Sequence, residues 1–148
     1  MGWSWGARTR AIAMTTPDRV LRRPLSDGVL DPGDDRAFVL AEWSDDGSHP
    51  DLPIAPPHRH LDEDEAWYVL AGRLIVRIGD DDLEAAAGTA VFGPRGVPHS
   101  YRNPDPAPCR YLIVMQPKTF ALIEALHAGS DDDPRELFRA HGAELIED

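Results

Sequence analysis

Six histidines, at positions His49, His58, His60, His99, His127 and His141, are the residues of this sequence best suited to chemistry, and their spacing decides which of them can act together. His58 and His60 are two apart in a segment leading into a strand, so both rings can project from one face. Glu65 follows five residues later, at the start of an apolar run, and His99 stands just beyond Pro94-Arg-Gly-Val-Pro98 at the start of another expected strand. If those strands are barrel neighbours, three imidazoles and one carboxylate meet at one interior point. Neutral imidazole and carboxylate suit Fe(II), Mn(II), Ni(II), Zn(II) or Cu(II). Four protein ligands leave two positions of an octahedral ion open, as chemistry requires. Each signal is weak alone. A lone histidine is usually a hydrogen-bonded surface or core residue, and Asp62-Glu-Asp-Glu65 by itself reads as a solvated acidic turn. His49, His127 and His141 read as structural or solvent-facing.

The elements that must position these groups are short. Residues 1–28, with Trp3, Trp5 and a basic stretch around Arg19, Arg22 and Arg23, read as a partly flexible lead-in, with Met14 as an alternative start to Met1. From Arg36 the texture changes: Arg36–Trp43, Glu65–Ala71, Leu74–Ile78, Leu83–Ala86, Ala90–Phe92, His99–Arg102 and Arg110–Met115 are apolar or alternating runs separated by Gly, Pro and Asp turns. That spacing predicts an all-β sandwich or barrel. After Pro117 the period becomes helical. Phe120, Ile123, Leu126 and His127 form one stripe, and a second helix opens at Asp133-Pro134 with Asp133 as its cap. Both stripes are expected to pack on the barrel. The domain reading is therefore 1–28 lead-in, 29–117 barrel and 118–148 two short C-terminal helices.

Taken together, the motifs are specific. His58-Arg-His60, four residues, Glu65, six residues, Gly72 is followed by Gly88, five residues, Pro94-Arg-Gly96, two residues, His99, three residues, Asn103. These stretches resemble both sequence motifs of the cupin superfamily, and the chain is similar to its small single-domain, quercetin-dioxygenase-like members of the conserved cupin 2 barrel type. The pattern often starts with a glycine six residues before the first histidine, and Leu52 stands there instead. The resemblance covers about residues 36–117. It implies a double-stranded β-helix (jelly-roll) barrel holding one divalent metal, with His58, His60, Glu65 and His99 as ligands. Gly72, Gly88 and Gly96 would serve turns where only glycine adopts positive φ cheaply, and Asn103 would tie down its loop. Alternation from the ligands places Trp67, Val69 and Tyr101 on the same face. Trp67 and Tyr101 are thus the substrate-pocket candidates, with Phe38, Phe92, Tyr111, Ile113 and Met115 behind them.

Composition narrows the function. Acidic residues outnumber basic ones 26 to 15, a net charge of −11, and such a surface repels nucleic acid and anionic lipid. No apolar run approaches a membrane span, and no secretory signal opens the chain, so a cytoplasmic location is expected. The single Cys109 excludes an internal disulfide framework and a cysteine zinc site, and reads as a small packed residue. The expected activity is that of an oxidoreductase, a metal-dependent dioxygenase acting on a small organic molecule, with Glu65 as ligand and catalytic base. A redox-neutral isomerase or decarboxylase of a sugar or keto acid, or a non-enzymatic binding domain, would use the same ligands. Exposed sheet edges need covering, so the protein is expected to be a homodimer. Light scattering at micromolar concentration should give twice the chain mass, and a monomer would refute it.

Overall fold

The computed structural model describes residues 21–147. Ten strands and two helices follow one another as β1 (Val29–Leu30), β2 (Val39–Asp45), β3 (Ala55–His60), β4 (Glu65–Ala71), β5 (Arg73–Ile78), β6 (Asp81–Ala86), β7 (Ala90–Gly93), β8 (His99–Arg102), β9 (Cys109–Met115), α1 (Pro117–Ala128), α2 (Pro134–Ala140) and β10 (Ala143–Leu145). They build two five-stranded antiparallel sheets, ordered β1-β2-β9-β4-β7 and β10-β3-β8-β5-β6. This is the double-stranded β-helix architecture, with two short helices after the barrel. Among the described residues no helix is long and apolar enough to cross a membrane.

The inner faces of the two sheets bury each other because the strands alternate. Val39, Val69, Leu74, Val76, Ile113 and Met115 have no exposed surface, and Trp67 has 1%. Each large aliphatic removed from water contributes roughly 1.5–3 kcal/mol. The opposite phase points outward: Phe38 and Phe92, among the sequence's pocket candidates, are 60% and 61% exposed. Phe92 pairs with Ala66, out of phase with Glu65 and Gly93, and Phe38 shares its phase with Leu40 rather than with Val39. Both therefore lie on the outside of their sheet.

Two features differ from the sequence reading. β3 is a full strand that includes Pro56 and Pro57, although proline cannot donate to a ladder. Its register with β8 shifts between Ala55 and His58, so the prolines sit at a bulge and the pairing resumes with His58 opposite His99. The C-terminal segment is also not purely helical. β10 pairs with β3, setting Ala143 opposite His60 and Leu145 opposite His58, so the end of the chain supports the histidine strand directly.

Glycine carries the tightest turn. Between β4 and β5, Gly72 has φ of +72°, and a Cβ there would stand 2.9 Å from both Cys109 Cβ and Pro108 O. Cys109 is buried at this contact, packed as the sequence suggested. At Gly88 φ is +87° but the space is open. Gly88→Ala should therefore cost about 1–2 kcal/mol, the left-handed backbone penalty alone, and Gly72→Ala distinctly more. Urea denaturation of the two variants checks the ranking, and equal losses would contradict it.

Candidate metal centre

The barrel brings together the four residues that the motifs single out. His58, His60, Glu65 and His99 are all buried, and one ligand atom from each lies within 4.8 Å of the others. His58 Nε2 is 3.2 Å from His60 Nε2, and Glu65 Oε2 is 3.3 Å from His60 Nε2 and 3.0 Å from His99 Nε2. β3 supplies two rings from one face because they are two residues apart. β8 brings His99 alongside through its pairing with β3, and the carboxylate enters from the other sheet, where Glu65 opens β4.

The outward nitrogens of the three rings set their orientation. His58 Nδ1 lies 2.6 Å from the Pro56 carbonyl, at the bulge, and His99 Nδ1 lies 3.4 Å from the Val97 carbonyl. A carbonyl can only accept, so both Nδ1 atoms donate. His60 Nδ1 is 3.3 Å from Thr119 Oγ1, whose own proton goes to Glu63 Oε1 at 2.9 Å. The hydroxyl therefore accepts from His60. All three rings thus turn an Nε2 lone pair towards the centre, where the Glu65 carboxylate already stands. Glu65 Oε2 and His99 Nε2 are buried without a hydrogen-bond partner. Such a convergence of electron pairs among buried side chains needs a proton or a cation between them. The residues present fit a divalent ion, and the bonds at Nδ1 are the outer support that histidine ligands ordinarily have.

Ionisation agrees with this. Burial, reinforced by the neighbouring His99, holds His58 down at about 4, so its ring is neutral at pH 7. Burial alone would raise the Glu65 carboxyl, but in the metal-free protein hydrogen bonds from His60 and His99 outweigh it and hold it at about 2, a ring proton taking the place of the ion. One anionic carboxylate is then available with a neutral His58.

Asp62–Glu65 is no solvated turn, because each acid has its own partner. Asp62 binds Lys118, Asp64 binds Arg95 at 2.8 Å, Glu65 faces the rings, and Glu63, 7% exposed, accepts from the backbone of Lys118 and Thr119 at the start of α1. Arg95 also positions His99. Its backbone N donates to Asp64 Oδ1 at 2.9 Å while Gly96 N donates to the His60 carbonyl at 2.6 Å, so the loop delivering one ligand is tied to the strand bearing two others. Asn103 donates to the Ala107 carbonyl at 2.7 Å and accepts from Asp105 N, holding its loop as expected.

Above the cluster lies a cavity of about 450 Å³. His58, His60 and Glu65 are in its floor, and Ile54, Tyr101, Tyr111, Leu122 and Phe138 are in its walls. Trp43, Asp27, Ser44, Leu126 and His127 also line it, the last four exposed and so at the mouth. Tyr101 thus borders the cavity. Trp67 does not: it is 1% exposed and meets the rings of His99 and Tyr101 at 5.3 and 5.5 Å. Of the α1 stripe, Phe120 and Ile123 pack against the barrel core, and Ile123 also lines the cavity with Leu126 and His127. Sequence reasoning missed Asp27, placed in the lead-in, as well as Glu63 and Thr119. Asp27 contributes through a turn with φ of +50°, where its carboxylate accepts from Ser44 Oγ at 2.9 Å. Trp3, Trp5 and Met14 lie outside the described residues. His49 is exposed, and His141 caps the end of α2.

Comparison with known proteins agrees with this architecture. The family description "Cupin domain" matches residues 49–115. No curated protein matches the chain. Among solved structures, the protein TT1209 from Thermus thermophilus is 26% identical with a TM-score of 0.51, the match covering 70% of this chain and 96% of that one. A cupin protein from Bacteroides fragilis is 12% identical with a TM-score of 0.55, over 68% and 86% of the two chains. A sugar phosphate isomerase of the cupin superfamily from Silicibacter pomeroyi is 22% identical with a TM-score of 0.50 over 58% of this chain, which spans 54%, about half, of that protein. The fold, the motif spacing and the match over residues 49–115 agree that this part of the chain is a cupin-type barrel.

Linkage gives the expected acid sensitivity of the metal-free protein. A histidine near 6.5 when unfolded and about 4 when folded is protonated first in the unfolded state, so stability falls as pH drops from 6.5 towards 4. The full contribution of His58 is about 3 kcal/mol, taking 1.36 kcal/mol for each pKa unit. Glu65 adds a further loss from 4.5 down to 2. Urea unfolding of chelator-treated protein at pH 7, 5.5 and 4 measures this, and a flat profile would contradict a buried neutral His58.

Proposed function

We propose that this chain is a metal-dependent oxygenase acting on a small, uncharged, largely apolar organic molecule. The observation that carries the reading is the composition of the cavity wall over the four-donor cluster. It contains two tyrosines, a tryptophan, a phenylalanine and several aliphatic side chains, but no lysine or arginine among the described residues. A buried phosphate or carboxylate without a cationic partner costs several kcal/mol. An ion at the floor could pair with an anion bound directly to it, as a keto acid's carboxylate would be, but the phosphate at the far end of a sugar phosphate would find no cationic side chain, so the redox-neutral reading ranks behind the oxygenase.

A divalent ion held by His58, His60, Glu65 and His99 would supply Lewis-acid and electron-transfer chemistry at the cavity floor. The chain's own residues do the rest. Ile54, Leu122 and Phe138 take the apolar body of the substrate and displace water from above the floor. Tyr111 donates its hydroxyl to Tyr101 at 3.4 Å, which leaves the Tyr101 proton for an acceptor in the cavity. Burial raises both phenols well above their ordinary range, so each keeps its proton at neutral pH. Tyr101 is accordingly a hydrogen-bond donor to a substrate oxygen, not a phenolate base. Glu65 is the base of this reading: its carboxylate is ionised at the floor, and it takes a substrate proton once it loosens from the partners that keep its proton affinity low.

The test is oxygen consumption. Protein loaded anaerobically with Fe(II) or Mn(II) should take up oxygen when given flavonols or related enediols, and H99A should abolish both uptake and stoichiometric metal binding. Absence of uptake with every metal would overturn the oxygenase reading. Metal-dependent isomerisation of an aldose or ketose would establish the redox-neutral one, and saturable ligand binding with no turnover would make the protein a binding domain.

A further inference from the structure

Thr119 occupies a position that neither helix packing nor metal coordination alone accounts for. It is 1% exposed in the first turn of α1, a helix whose own N-cap, Gln116, makes no side-chain cap. The side chain of Gln116 instead accepts from Asp64 N at 2.6 Å. Capping is left to Glu63, which comes from the β3–β4 turn and takes Lys118 N at 3.1 Å and Thr119 N at 2.7 Å. A carboxylate at a helix N-terminus satisfies orphan backbone donors and meets the positive end of the dipole. The third donor to Glu63 is the Thr119 hydroxyl, which on its other side accepts from His60 Nδ1. A continuous chain of bonds therefore runs from the α1 backbone through Glu63 and Thr119 to the ring of His60.

The placement of α1 shows what that chain connects. Its buried residues, Thr119, Phe120 and Leu122, are all in its first half. Leu126, 42% exposed, and the exposed His127 are in its second half, where they line the cavity. The helix is held at the end nearest the metal centre and extends over the cavity at the other.

Resting on the metal-centre reading above, we infer that Thr119 is a positioning residue that couples the cluster to the cavity wall: it fixes His60 with Nε2 free for the ion, and loading the ion stiffens α1. Through one hydroxyl the same bond orients a ligand and anchors a wall of the pocket. Coupling of this kind is reciprocal, so a molecule that orders α1 from within the cavity also tightens the hold on the ion.

The experiment compares the full chain with T119V and T119S, each with and without Mn(II) or Co(II). Calorimetry gives metal affinity, the visible spectrum of the Co(II) form reports the ligand field, and amide hydrogen exchange over residues 120–128 reports the helix. T119V, isosteric but without the hydroxyl, should weaken metal binding roughly 10- to 100-fold, the range for loss of an outer partner of a ligand. It should also shift the Co(II) bands and erase the metal-induced slowing of exchange, and T119S should restore all three. A T119V protein with wild-type affinity and spectrum would overturn the inference. So would a wild-type chain that binds the ion with no slowing over 120–128, a comparison that stands even if T119V does not fold. A wild-type chain that binds no metal fails differently, since it removes the metal centre itself.

Discussion

Electrostatic frustration at one point organises this molecule. Two facing sheets bring three imidazole rings and a carboxylate to one buried point, with ligand atoms as close as 3.0–3.3 Å. Hydrophobic packing holds them there, since the rings and carboxylate share their inward phase with Val69, Trp67 and Tyr101, which cannot be released without opening the barrel. A divalent cation bound there would turn mutual repulsion into attraction.

Around that point the polar side chains act as outer supports. Pro56 shows how local sequence provides one. As it donates no backbone hydrogen bond, the strand bulges, and the bulge leaves the Pro56 carbonyl within 2.6 Å of His58 Nδ1. Asp64 with Arg95, and Gly96 with the His60 carbonyl, brace the loop that ends in His99. The acidic run Asp62–Glu65 thereby serves four separate structures with four consecutive residues. Side-chain alternation sends Glu63 and Glu65 to one side, the first to the helix terminus and the second to the rings, while Asp62 and Asp64 take the cations.

Much of this was legible in the sequence because it depends on short-range periodicity. Period-two alternation places β4, β5 and β8 within a residue of their observed bounds and turns Trp67, Val69 and Tyr101 inward. Motif spacing brings the four donors together. What was not legible depends on contacts between distant segments. Nothing local shows that Glu63 will cap a helix more than fifty residues away, or that Thr119 will receive His60. β10 is three residues long and exists through its pairing with β3. The α1 stripe has the period of a packing face, and only the position of the helix above the cavity makes Leu126 and His127 part of a pocket.

The same distinction bears on what the barrel can be expected to do. A similar backbone occurs in a sugar phosphate isomerase, and a shared backbone does not transmit a reaction. Selectivity belongs to the lining, which here comes largely from outside the ligand motifs: Asp27 before the barrel, Trp43 and Ser44 from β2, and Leu122, Leu126, His127 and Phe138 from the C-terminal helices. These residues place an acid, a hydroxyl and an imidazole at the mouth and carbon further in. An anion approaching this opening would meet Asp27 and a chain of net charge −11 on the way in, then find no side-chain cation inside. A neutral molecule with a polar end meets none of those barriers. Under the reading proposed above, its apolar body would lie against Ile54, Leu122 and Phe138, with Tyr101 in the wall and the donor cluster at the floor.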